Sequence, residues 1–332
     1  MIDAVILVGG FPKPIGGVTT FVRRLAASDR RVAAVVDVYV GTEKAMPAGY
    51  SGKYHRLSSL WRGFLYLSFN MMLWRNKHVH FNFSSLTSLV FLVLLPKNGT
   101  KWILMLHHGV LESRLPDVLV RYVLRRCDHI VYMNEAQYTT YRLHGVRGSK
   151  LVKASSYVRP VPGTPDTVFQ QDIESYCAAR PTFVASGYPT RWYNLDWCIR
   201  FVGQREQYQL ALFVYGDGPE KAEIQKQVGR CENVRVYWDQ TEDNFNYALS
   251  KCFHYLRPNT RDSFGIAVAD AVNYGVPVLA SDVCPRYQGA RTFTLTTYES
   301  FENALLDSLN NRGAAVASEA APVVPFSYDL IQ

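Results

Sequence analysis

At 332 residues, with 48% hydrophobic, 13% aromatic and 19% charged side chains, the chain has the composition of a globular protein with ample core, which excludes disorder and collagen-like repetition and suggests two domains. Its net charge of +8 is unevenly spread: residues 1–165 carry 22 Lys and Arg against 8 Asp and Glu, giving +14, while residues 166–332 carry 14 against 20, giving −6. A spanning helix needs about 20 apolar residues in a row, and the longest strong run, Leu89 to Leu95, has seven before Pro96 stops it, so no membrane-crossing segment is expected.

Short apolar, β-branched runs alternate with stretches of helical period. In the first half strands are predicted at Ala4–Val8, Val35–Val40, Val79–Phe83, Ile103–Leu106, Ile130–Met133 and Leu151–Ser155. In the second half they are predicted at Thr182–Ala185, Leu210–Tyr215, Val234–Trp238, Phe253–Arg257 and Val276–Ala280, with helices between them such as Pro219–Val228 and Glu242–Leu249. Alternation of this kind gives α/β folds with doubly wound, mostly parallel sheets, and two such halves make two Rossmann-like domains facing a cleft. The predicted domains are 1–160 and 167–310, with a tail, 311–332, that returns to the first; Val158–Asp166, with three prolines and a glycine, reads as the linker.

The basic first half suggests an anionic partner: nucleic acid, a phosphorylated substrate or an anionic lipid surface. Its Lys and Arg are scattered without a nucleic-acid-binding motif, which disfavours nucleic acid. Leu60 to Arg75 (LWRGFLYLSFNMMLWR) has 11 apolar residues of 16, two of them Trp, with Arg62 and Arg75 near its ends. It reads either as a helix lying among lipid head groups or as a core helix, since a clean polar face is missing. The six cysteines are far apart with no C-x-x-C pair, a pattern that disfavours a zinc site and fits a reducing cytosol.

The glycine-rich turn after the first strand (GGFPKPIGGVTTFVRRL) lacks G-x-G-x-x-G, and the acid near the second strand, Asp37, precedes the end of its apolar run, so a nicotinamide cofactor is disfavoured. Gly16 and Gly17 precede a helix starting near Val18, where backbone N–H groups could meet a phosphate or a sugar; a plain tight turn fits equally. From Ser263 to Ser281 the only charged residue is Asp270. A carboxylate on so apolar a helix needs a partner. Asp262 lies eight residues earlier, about 12 Å along a helix axis, close to the length of a folded sugar-diphosphate-ribose. The two acids would then accept hydrogen bonds from a diol at each end, with the helix start at Ser263 to Gly265 facing the diphosphate. Alternatively, Asp262 is a helix cap and Asp270 an ion-paired structural acid.

Asp262-x7-Asp270, followed by Gly275-Val276-Pro277-Val278 and Ala280-Ser281, resembles the Glu-x7-Glu signature of retaining GT-B glycosyltransferases of family GT4. Val214 to Glu220 resembles that family's G-x-G-P-E loop, and Ser186-Gly187-Tyr188 to Arg191 its donor-phosphate segment. Gly16-Gly17 matches its N-terminal glycine loop and His107-His108-Gly109 its active-site His-Gly, so five motifs stand in the family's order over nearly the whole chain.

The resemblance implies metal-independent, retaining transfer of a hexose from a UDP- or GDP-sugar to a growing glycan or lipid-linked glycan of the cell envelope. It implies no cofactor besides the nucleotide-sugar substrate, and work at the cytoplasmic face of an anionic membrane with the first domain taking the acceptor. By residue, it implies catalytic roles for His108, Asp262 and Asp270, with His108 preferred to His107 because it directly precedes glycine. It implies donor contacts from Gly16, Gly17, Arg191, Gly216, Gly218, Ser263, Phe264, Gly265 and Ile266, with no metal ligand; Glu112 and Arg114, just beyond the histidines, are acceptor-side candidates that either contact the acceptor or the leaving-group phosphate or are plain solvated charge. Tyr237 and Trp238 either border the nucleobase or pack in the core.

The chain departs from the family at both signature acids, which are Asp, and at the family's Arg position, which reads Tyr188, leaving Arg191 and backbone N–H groups to neutralise the diphosphate. The competing readings are a GT-B-fold nucleotide-sugar epimerase or hydrolase, and a non-catalytic protein that binds lipopolysaccharide or nucleic acid through its basic half.

Overall fold

In the computed structural model, residues 2–13, 15–39, 50–311 and 324–331 are described, together with the backbone but not the side chain of Leu60. The chain divides into two units, Met1–Val161 with Val324–Gln332, and Pro162–Val323.

The first unit holds strands β1 (Val5–Gly9), β2 (Val32–Asp37), β3 (Lys53–Arg56), β4 (His78–Phe83), β5 (Lys101–Leu106), β6 (His129–Tyr132) and β7 (Leu151–Lys153). They form one sheet in the order β3-β2-β1-β4-β5-β6-β7, every neighbouring pair parallel. Helices α1 (Gly17–Ser28), α2 (Leu60–Leu73), α3 (Val90–Val93), α4 (Asp117–Arg126) and α5 (Glu135–Leu143) connect them. β1 and β4 are buried along their whole length, as strands covered on both faces must be, and their side chains alternate between two cores. Ile6, Val8, Phe81 and Leu104 join the core that α2 and α4 cover. Val5, Leu7, Ile103 and Met105 meet Phe21, Val22 and Leu25 of α1 on the other face. That second core also takes Phe326, Tyr328 and Ile331, and Pro325 bridges to Ser155, so residues 324–331 close one face of the first unit.

The second unit runs α6 (Thr167–Ala179), β8 (Thr182–Gly187), α7 (Leu195–Gly203), β9 (Gln209–Val214), α8 (Lys221–Val228), β10 (Val234–Trp238), α9 (Glu242–Lys251), β11 (His254–Arg257), α10 (Ile266–Asn273), β12 (Val278–Ser281), β13 (Arg291–Phe293) and α11 (Tyr298–Asn310). Its parallel sheet has the order β10-β9-β8-β11-β12-β13. Strand order reverses between β1 and β4 in one unit and between β8 and β11 in the other. Beyond the carboxyl ends of strands at such a reversal, neighbouring loops diverge and leave a crevice where doubly wound domains bind ligands.

Two strands were not legible, β3 and β13, both at sheet edges. The second strand ends at Asp37 and not at Val40, which lies outside the described residues, as do residues 312–323 of the predicted tail. Asp37 is thus the last residue of β2, in the place of a ribose-binding acid, but it is already engaged. Its carboxylate accepts from the backbone N–H groups of Phe11 and Tyr39 and from the Tyr54 hydroxyl, each at 3.0 Å.

The stretch read as either interfacial or core is buried on one side only. α2 sends Leu67 and Met71 into the core while Trp61, Leu65, Phe69 and Met72 stay exposed on the other side.

Candidate functional site

In the second unit the loops after β8, β9, β11 and β12 converge at the strand reversal. The loops after β8 and β11 are laced together, Asn194 donating to the Pro258 carbonyl at 2.7 Å and the Thr260 N–H to the Trp192 carbonyl at 2.9 Å. The glycines of the two loop motifs serve close approach. A Cβ on Gly187 would lie 2.3 Å from Tyr193, and one on Gly218 2.3 Å from the Pro189 carbonyl oxygen. Gly216 sits at φ +65°, a conformation costly for other residues, and its N–H donates to Asp239 at 2.7 Å.

At the start of α10 stands a charge cluster. Oδ2 of Asp262 accepts from Arg257 Nε and from Arg286 Nη1, each at 2.7 Å, while Oδ1 accepts from the Ser263 N–H at 3.0 Å. Arg286 is further fixed by the carbonyl and hydroxyl of Ser281 at 2.8 and 3.1 Å. Side-chain exposure is 9% for Asp262, 13% for Arg257 and 2% for Arg286, so these charges interact in a poorly solvated setting. Burial by itself pushes the Asp262 carboxyl up, but the two guanidinium groups outweigh it and hold the carboxyl well below the usual carboxylate range. Two cations on one anion leave a net positive charge. Guanidinium groups carry five N–H donors each, so the cluster retains donors for a further anion.

α10 adds to this field. It starts at Ile266 and not near Ser263, because Gly265 at φ +78° breaks the helical path; the Gly265 cap has no side-chain hydrogen bond. The first N–H groups of a helix lack intrahelical acceptors and its N-terminus carries partial positive charge. Asp262 therefore lies outside the helix, and the separation of about 12 Å along one helix axis does not describe the pair. Asp270 sits within α10 at 1% exposure, and Phe264 at 4%. Arg191 is exposed, its guanidinium 4.5 Å from the Trp192 ring, and Arg261 approaches the same ring at 4.0 Å. Tyr237 is a core residue, stacked on Phe213 at 5.1 Å with its hydroxyl on Asp172 at 2.8 Å.

In the first unit Gly16 caps α1, its N–H donating to Thr19 Oγ1 at 3.0 Å, and a Cβ on Gly17 would meet no atom within 4 Å. The two adjacent histidines part company. His107 is buried with Nε2 3.2 Å from Asn82 Oδ1, whereas His108 is exposed. Its loop is held from three sides: the His108 N–H donates to the Ser84 carbonyl at 2.9 Å, Gln137 donates to the His108 carbonyl at 2.7 Å, and Asn134 donates to the Gly109 carbonyl at 3.0 Å. Partial desolvation among these neighbours lowers the pKa of His108, and the Glu112 carboxylate works against it. Glu112 and Arg114 are exposed just beyond, the Arg114 N–H on Thr87 Oγ1 at 3.2 Å. Among the described residues no three His, Cys, Asp or Glu come together as a metal site, and no helix is long and apolar enough to cross a membrane.

Sequence reasoning missed Arg257 and Arg286. The available signal was that Arg286 is the one base between Ser263 and Ala290, a stretch otherwise holding only the charges of Asp270 and Asp282.

Residues 180–311 match the family described as Glycosyl transferases group 1. No curated protein matches the sequence at a significant level. Among solved structures the chain is similar to Anabaena HepE in complex with UDP-glucose, at TM-score 0.71 and 12% identity over 94% of this chain and 91% of that one. It is similar to sucrose-phosphate synthase from Thermosynechococcus elongatus, at TM-score 0.63 and 14% identity over 94% and 91%. The catalytic domain of starch synthase IV from Arabidopsis thaliana, bound to ADP and acarbose, gives TM-score 0.64 and 11% identity over 96% and 93%. At these identities the likeness is one of fold, two parallel-sheet Rossmann-like α/β domains of the GT-B type. The family match lies within the second unit.

Proposed function

We propose that the chain is a retaining, metal-independent hexosyltransferase of the GT4 type that moves a hexose from a UDP- or GDP-sugar to a glycan or lipid-linked glycan of the cell envelope. The observation that carries this reading is the Arg257–Asp262–Arg286 cluster at the start of α10, beside the strand reversal between β8 and β11. The UDP-glucose bound by HepE and the ADP bound by starch synthase IV support a nucleoside diphosphate as the group held there.

As the bond from the sugar C1 to the diphosphate breaks, negative charge grows on the departing oxygen. Preorganised guanidinium groups and unpaired helix N–H groups stabilise such charge without reorganisation, which lowers the barrier. The two arginines supply the positive charge that a divalent cation brings to other sugar-nucleotide sites. The acceptor hydroxyl bonds to C1 on the face the diphosphate leaves, and its proton passes to a departing phosphate oxygen. Asp262 acts here as the group that orients both guanidiniums, while Asp270 receives the ribose hydroxyls and His108 gives a hydrogen bond to the sugar in transfer. Gly16, Gly17, Gly216, Gly218 and Arg191 complete the donor contacts, and Glu112 and Arg114 serve the acceptor.

Thermal unfolding with a panel of UDP- and GDP-sugars tests the reading. A ligand at 100 times its dissociation constant stabilises by about 2.7 kcal/mol, so one nucleotide sugar should raise the melting temperature clearly and uncharged sugars should not. The product linkage, read by NMR, should keep the donor's anomeric configuration; an inverted linkage would contradict the retaining assignment.

A further inference from the structure

A cavity lies in the first unit, where α2 faces the turn Leu86–Leu89 and α3. It has a volume of about 190 Å³ and is walled mainly by apolar side chains, including Leu57, Phe64, Leu67, Phe83 and Phe91. For scale, an apolar cavity of about 150 Å³ stays dry and holds a benzene-sized guest. The cavity lies past the carboxyl ends of β2 and β4, and the carbonyl of Ser84, one of its few polar lining residues, accepts from the His108 N–H at 2.9 Å.

Its surroundings specify the guest. The outer face of α2 keeps Trp61, Leu65, Phe69 and Met72 at 50–68% exposure, and Leu94, just beyond α3, is 76% exposed. An exposed apolar face of this extent marks contact with another apolar phase. The charge is one-sided: Tyr50 to Leu111 holds seven Lys and Arg and no Asp or Glu. In sequence the exposed Arg56 and Arg62 directly precede the lining residues Leu57 and Gly63, and the backbone N–H of the exposed Arg114 donates to Thr87, the residue before the lining Ser88. Glu112 is the exposed acid nearby, while Asp37 is spent on Phe11, Tyr39 and Tyr54. A second copy of the chain would set like charges against each other, which costs affinity. An apolar cavity set in so basic a segment fits a molecule with an apolar chain and an anionic head.

We propose that this cavity takes the end of the hydrocarbon chain of a membrane lipid whose phosphate head group rests on Arg56, Arg62 and Arg114. The proposal rests on the lipid-linked acceptor reading and gives that acceptor a site in the first unit.

Calorimetric titration of the full chain with inorganic phosphate and with butyl, hexyl, octyl and decyl phosphate, each below its micelle concentration, tests it. Affinity should rise by about fourfold per added methylene, the worth of one buried CH₂, and level off once the cavity is filled. Affinity equal to that of inorganic phosphate at every length would overturn the proposal. Ser88→Phe, which fills the cavity from its rim, should weaken decyl phosphate at least tenfold and leave the nucleotide-sugar thermal shift unchanged; undiminished binding in the folded variant would also overturn it.

Vesicles of phosphatidylcholine with about one-third phosphatidylglycerol, carrying brominated acyl chains, should quench Trp fluorescence in wild type and less in Trp61→Phe. Binding of decyl phosphate with no binding to these vesicles would exclude a membrane lipid as the source. A retained nucleotide-sugar shift alongside failed amphiphile binding leaves the transferase reading standing. A missing nucleotide-sugar shift in wild type contradicts that reading whatever the amphiphile does.

Discussion

Arg286 places Nη1 2.7 Å from Oδ2 of Asp262, across 24 residues of chain, on the same oxygen that accepts from Arg257 Nε. The acid expected to receive a ligand diol is instead the common anchor of two buried cations. Asp262→Asn leaves both guanidinium groups without their counter-charge, and losing one partner of a buried ion pair costs about 3–5 kcal/mol. Urea unfolding should show that loss in the second unit, and a midpoint equal to wild type would contradict the geometry.

Gly265 is confined by the same cluster. At φ +78° any other residue is strained, and a Cβ would lie 2.7 Å from Arg286 Nη1. Gly265→Ala should destabilise by about 1–3 kcal/mol and weaken UDP binding by displacing Arg286. Gly275, also at positive φ but with open space around it, is the control: Gly275→Ala bears the strain and leaves UDP affinity unchanged.

The first unit should be acid-sensitive. Burial, and then a neighbouring histidine, push His80 and His107 down to about 3. Among the described residues His80 Nε2 and His107 Nδ1 have no hydrogen-bond partner. Both rings stay neutral when folded and take up protons when unfolded below about pH 6.5, so stability is full above that pH and lost as pH falls toward 3. Between pH 7 and 5 the loss is roughly 2 kcal/mol for each ring. Asp262, depressed in the opposite sense, loses its contribution only below the unfolded carboxylate value near 3.9, so it does not contribute in this window. Denaturant titrations at pH 7, 6 and 5 should show the slope, and His107→Gln should remove about half of it; equal stability at all three would refute it.

Arg62 and Arg75 lie near the ends of the apolar face of α2. Near an anionic leaflet each base contributes about 1 kcal/mol, so Arg62→Glu with Arg75→Glu should cut co-sedimentation with anionic vesicles at least tenfold at about 0.15 M salt. If wild type stays in the supernatant at low salt as well, the membrane part of the proposal fails.

The order of strands and helices was legible because strands buried on both faces must be written as unbroken apolar runs, as β1 and β9 are. β3 (KYHR) and β13 (RTF) were not, since edge strands are half solvated and carry charge. The motif glycines were legible as loops, but not which of them yield to a neighbour's bulk, as Gly218 does to Pro189. Arg286 escaped because its partnership with Asp262 is made by the parallel pairing of β11 with β12, a long-range event that leaves no period in the sequence. By sequence His108 was preferred to His107 only because it precedes glycine, whereas their burial is set by the depth at which β5 ends, which leaves His107 buried and His108 exposed.

The most direct test of the account is calorimetric titration of UDP and of uridine into wild type, Arg257→Gln and Arg286→Gln. Charge-assisted hydrogen bonds to phosphate contribute about 1.5–3 kcal/mol each, so UDP should bind each variant at least tenfold more weakly than wild type. Uridine, which has no phosphate, should bind all three alike and so report that the fold is intact. UDP affinity unchanged in both variants, or wild type binding UDP no better than uridine, would contradict the placement of the donor diphosphate on the Arg257–Asp262–Arg286 cluster.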